Sequence, residues 1–155
     1  MTTRQKSAKS PLALVLTGAL ALAAGPAAAA EPSVVTVQDS FNNVTFAVQN
    51  AITNAGLVID TVSHTGDMLK RTGADVGSTK PLFLHADVFS FCSAVVSREV
   101  MTADAMNIQY CPYHIFVAEL PDKPGTILVG HEVYPHGVMD KVNALLDGII
   151  KDALN

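Results

Sequence analysis

The sequence predicts an α+β fold, a two-layer sandwich in which one mixed sheet of about five strands carries helices packed mainly on one face. Three observations lead there. Stretches with apolar residues at three- and four-residue spacing alternate with short β-branched runs, so helices and strands interleave along the chain. A Pro121-Asp122-Lys123-Pro124-Gly125 connection joins two apolar runs near the C-terminus and demands an antiparallel pair. Strands separated by helices are free to run parallel, which is why the expected sheet is mixed.

The first segment is expected to leave before the protein folds. Arg4, Lys6 and Lys9 form a positive stretch, Leu12 to Ala24 an apolar run, Gly25-Pro26 a break, and Ala28-Ala29-Ala30 the small residues that a signal peptidase reads. Residues 1–30 therefore read as a signal peptide cleaved after Ala30, giving a periplasmic or secreted protein. The apolar run falls short of the ~20 residues that an uncleaved anchor needs. No cysteine lies near the cleavage site, which argues against a lipid anchor. Residues 31–155 are enough for a single α+β domain and too few for two.

Within that domain, Val34, Val35 and Val37 predict a first strand. Ser40 stands as N-cap before Phe41, Val44, Val48, Ala51, Ile52 and Ala55, one helical face that Gly56 closes. Leu57 to Val62 predicts a second strand, Thr65 to Thr72 a short helix ended by Gly73, and Gly77 to Pro81 a loop. Leu82-Phe83-Leu84 is expected as a strand, with Asp87 capping a helix that carries Val88, Phe91, Cys92, Val95, Val96 and Glu99 on one face; Cys92 then points inward. Thr102 to Gln109 turns, Tyr113 to Leu120 and Thr126 to Val133 pair as a hairpin, and Val138, Val142, Leu145, Leu146, Ile149, Ile150 and Ala153 form the apolar stripe of a last helix.

Charge narrows the partners. Losing residues 1–30 removes three of ten basic residues and none of fourteen acids, so the mature chain carries a net charge of −7 with histidine neutral. Its basic residues form no run, which excludes nucleic acid and anionic membrane as expected partners. A cation, a cationic periplasmic protein such as a basic cytochrome, or a small neutral ligand fits an acidic chain, and a homo-oligomer stays open.

The early helix closing at Ala55-Gly56-Leu57-Val58, the short helix with Met68-Leu69-Lys70-Arg71, and Cys111-Pro112-Tyr113-His114-Ile115-Phe116-Val117-Ala118-Glu119 together resemble the domain of unknown function 302 family across roughly Phe41 to Pro135. Where members have Leu-Pro before the penultimate strand, this chain has Cys111-Pro112. The resemblance implies a small α+β domain, often exported, without an established activity. No active site transfers from it.

Cys92 and Cys111 are the two cysteines of the chain, and an even count in an exported domain points to a disulfide. A thiol–disulfide redox enzyme is the rival reading, although Cys-x-x-Cys spacing is missing. A metal or haem protein is a third, because soft and imidazole ligands crowd the chain: Met101, Met106 and His114 near Cys111, with His64, Met68 and His85 on neighbouring elements. Copper suits such ligands. Haem would have to bind non-covalently, as Cys-x-x-Cys-His is missing, with His85 or Met101 as axial ligands. Each also has a structural explanation: a solvated or hydrogen-bonded histidine at a strand end, or methionine as core filler.

Enzyme signatures are missing. Ser63, Ser93 and Ser97 lack the Gly-x-Ser-x-Gly turn, and no phosphate-cradling glycine loop occurs. Asp87, Glu99 and Asp104 read as exposed helix-end charges. The expected function is an exported accessory or ligand-binding domain without a defined reaction.

Overall fold

The computed structural model describes residues 31–155, so the expected signal peptide, residues 1–30, lies outside the described residues. The chain runs β1 (Ser33–Gln38), α1 (Phe41–Asn54), β2 (Val58–Ser63), α2 (Thr65–Thr72), β3 (His85–Cys92), α3 (Ala94–Ala103), β4 (Tyr113–Glu119), β5 (Thr126–His131) and α4 (Asp140–Leu154). Short 3-10 turns occupy Ala74–Val76 and Ala105–Tyr110.

Local signals set several boundaries. The Ser40 hydroxyl accepts the Asn43 N–H at 3.2 Å and caps α1. Gly56 adopts a φ of 76°, the left-handed conformation that ends a helix and that side-chain-bearing residues avoid. At the hairpin between β4 and β5, Gly125 donates its N–H to the Glu119 carboxylate at 2.7 Å.

The five strands form one sheet in the order β1-β5-β4-β3-β2. Every pairing is antiparallel, which corrects the expected mixed sheet. Strands β1 and β2 do run the same way, but α1 carries the chain from one edge of the sheet to the other, so they never become neighbours. The rest of the fold class stands: one five-stranded sheet, with α1 and α4 layered together on one face.

That face holds the core. Phe89 lies opposite Ile115, and Val117 opposite Val129, placing these residues with Phe91 and Ile127 under the helices. Val44, Val48 and Ile52 of α1 and Val142, Leu146 and Ile149 of α4 close over them, all buried. Burial of each such side chain is worth about 1.5–3 kcal/mol.

Two expected elements are replaced. The helix anticipated after Asp87 is strand β3 up to Cys92, followed by α3, which Ser93 caps by accepting the Val96 N–H at 3.3 Å. Alternation decides the matter: Phe89 and Phe91 point to the core while Val88, Ser90 and Cys92 point away, so Cys92 sits half-buried on the far face rather than inward. Leu82-Phe83-Leu84 is not a strand but the end of a strap, residues 78–84, between the Ala74–Val76 turn and β3. Pro81 has no N–H to give a sheet ladder, and the sheet edge is already taken by β2.

Candidate functional site

One end of the sheet is closed by a disulfide. Phe91 lies opposite Tyr113, so Cys92, the last residue of β3, falls beside the approach to β4, and Cys92 and Cys111 are bonded with their Cα atoms 6.4 Å apart. The Tyr113 hydroxyl lies 3.0 Å from the Ser97 hydroxyl of α3, and the rings of Tyr110 and Tyr113 both meet Tyr134 edge-on. Burial, with the nearby Glu132 and Tyr113, pushes the Tyr134 phenol up to about 12. This end is a packed corner.

The sequence-expected ligand residues do not gather in one place. Met101 packs against the core from α3, Met106 projects 64% exposed from the 3-10 turn, and His114 is exposed on the far face of β4 opposite Ser90. His64, Met68 and His85 belong to the other end of β3, roughly 23 Å away by strand rise. There the His64 imidazole Nδ1 lies 2.8 Å from the Asp87 carboxylate, and His85 stacks on Phe41 with centroids 5.0 Å apart. The hydrogen bond to Asp87 and that residue's charge hold the His64 pKa above its usual value of 6.5. Among the described residues, no group of three or more His, Cys, Asp or Glu side chains is placed to hold a metal ion.

His131 has a different environment. Its side chain is wholly buried, with Nε2 3.0 Å from the Asp147 carboxylate of α4 and Nδ1 2.7 Å from the Glu132 carbonyl. The Ser33 hydroxyl donates to the same Asp147 oxygen at 3.1 Å. Serine and histidine thus both address the aspartate and not each other, so this is a clasp joining β1, β5 and α4, not a nucleophile with its base.

Two concave features stand out among the described residues: a more open hollow of about 410 Å³ between α1 and the end of α4, edged by Asn50, Asn54 and Asp152, and a groove between α2 and the strap, the one of the two with large apolar side chains in its wall. Gly66 lets α2 sit directly on β3: a Cβ there would come within 2.6 Å of the Ala86 backbone nitrogen. The chain then turns through Gly77, whose φ is 72°, and the Ser78 N–H returns to the Gly73 carbonyl at 2.8 Å. At its far end the strap is fixed by the Leu84 N–H donating to the Glu119 carbonyl at 2.8 Å. Between helix and strap opens a groove of about 290 Å³, lined by Leu69, Leu82 and Phe83 with Lys70 and Lys80 among its walls. Val76, Leu82 and Leu84, at 77%, 55% and 41% exposure, give it an apolar mouth.

Sequence reading did not single out this groove. Its apolar strap residues resemble a short strand, and only the closure of α2 onto β3 turns them into a wall. A run of three apolar residues directly after Lys80-Pro81, without polar alternation, was the available signal.

Neither a family model nor a curated protein matches the chain. Among solved structures it is similar to an uncharacterized conserved protein DUF302 from Bacillus stearothermophilus, at 15% identity with a TM-score of 0.55 over 78% of this chain and 88% of that one. The chain therefore has a DUF302-like fold. That likeness carries architecture and no activity.

Proposed function

From this DUF302-like fold we propose an exported, disulfide-stapled ligand-binding domain whose binding site is the groove between α2 and the strap. The carrying observation is the groove itself: a concave, mostly apolar space of about 290 Å³ with large apolar side chains exposed at its mouth. Ligand sites are typically concave and apolar with a few polar groups, and span about 300–1,000 Å³. Val76, Leu82 and Leu84 stand together at the mouth as an apolar patch that an occupant would cover.

Export is supported by the sequence of residues 1–30, and the disulfide is in keeping with an oxidising compartment. The metal and haem readings lack comparable support because their candidate ligands divide between the two ends of β3. The redox reading is weakened by the same corner, where Cys92 and Cys111 come from separate elements and the bond ties β3 to the approach of β4.

Binding is tested with N-phenyl-1-naphthylamine, a neutral reporter whose emission rises in apolar surroundings. The wild-type protein is expected to bind it saturably, and Leu82→Glu, an exposed position where folding is not at stake, to lose about tenfold in affinity or more, equivalent to ~1.4 kcal/mol. Unchanged binding by Leu82→Glu would sink the groove reading. Export is checked separately by N-terminal sequencing of the mature protein, with Glu31 expected first.

A further inference from the structure

We infer that the groove selects an amphipathic anion, a single-chain molecule with a carboxylate or comparable monoanionic head. The inference rests on the groove being a binding site and adds what it recognises. The apolar chain lies against Leu69, Leu82 and Phe83, and the head meets Lys70 and Lys80.

Charge placement carries the argument. Residues 31–155 hold seven basic against fourteen acidic side chains, a balance that repels anions over most of the surface. Between His64 and Leu84 the balance inverts, because Lys70, Arg71 and Lys80 outnumber Asp67 and Asp75. Lys70 and Arg71 lie in the last turn of α2, where cations suit the helix dipole. Lys80 lies on the strap, outside any helix end. It stands across the groove from Lys70 on α2, so each wall of the apolar space includes one lysine, and the lining includes no acidic residue. Among the described residues, none of these three cations is in an ion pair; Lys141 with Glu99 is the lysine or arginine pair found.

Size limits the tail. At about 290 Å³ the groove lies at the small end of ligand sites, which suits one short or medium chain and not a two-chain lipid. The same head chemistry could be presented by a free acid or by a membrane surface; the concave walls favour the free molecule.

The test is displacement of N-phenyl-1-naphthylamine by octanoate, octan-1-ol and octylammonium, which share one tail. Octanoate is expected to bind about fivefold to tenfold more tightly than the alcohol, with octylammonium weakest, since two partly solvated charge contacts are worth about that much. Raising the salt should narrow the difference. In the Lys70→Ala/Lys80→Ala double variant the preference should vanish while reporter affinity is kept; Arg98→Ala, on α3 at the disulfide end of β3, should change neither. Equal binding of octanoate and octan-1-ol would overturn the anion inference and leave the groove standing. Failure of the reporter itself would remove both. Sedimentation with phosphatidylglycerol vesicles without octanoate binding would overturn the free amphiphile in favour of a surface.

Discussion

The Asp87 carboxylate sets the behaviour of His64, an exposed imidazole held through a single 2.8 Å contact. Because the folded pKa is raised above 6.5, the stabilisation from this pair is fully present below about pH 6.5 and is lost as pH rises through the raised value. A proton NMR titration should therefore place His64 above 6.5, and Asp87→Asn should return it toward that value; an unmoved midpoint in the variant would refute the pairing. At this scale the sequence was legible in kind rather than in partnership. His64 was visible as a strand-end histidine, but its partner is 23 residues away, and only the antiparallel register of β2 on β3 brings Asp87 beside it. His131 was equally hidden. Nothing in the local sequence tells that its acceptor sits 16 residues on, one face of α4 away.

Elements were read best where period and punctuation agreed. Ser40 with Gly56 bounded α1, and the apolar stripe defined α4. Between Asp87 and Ala94 period and structure part, because Val88, Phe91, Cys92 and Val95 fall by coincidence at helical spacing in a segment that is strand up to Cys92. The competing signal was stronger: Phe89 and Phe91 alternate with smaller or polar residues, and cross-strand partners Ile115 and Tyr113 complete their burial. The strap departs for the opposite reason, being apolar without belonging to the sheet. The disulfide survives both departures, because a cysteine pair is a constraint on distance and not on secondary structure. Replacing Cys92 and Cys111 together with alanine should lower unfolding free energy by about 3 kcal/mol, chiefly by freeing the unfolded chain. Urea denaturation measures this, and reporter binding should persist, since the groove lies at the other end of β3.

Over the whole molecule, the parts that close the sandwich are few. Asp147 on α4 holds both His131 of β5 and Ser33 of β1, so one carboxylate ties an edge strand, an inner strand and the covering helix. His131→Ala would open space in a fully buried position and leave that clasp with one bond; about 3 kcal/mol of stability should be lost, read from the denaturation midpoint. A loss under ~0.5 kcal/mol would mean that the clasp is incidental.

The position of β1 has a temporal consequence. Its pairing partner is β5, the last of the described strands, and α1 packs on α4, the last of the described helices. A ribosome releases β1 and α1 first, yet the surfaces that seat them do not exist until β5 and α4 have emerged. The early elements must wait for them, and the sheet can be sealed at its β1 edge only once β5 has followed. Such distant pairings carry a loop-closure cost that local contacts do not, so β1 and α1, though first made, are expected to be seated late.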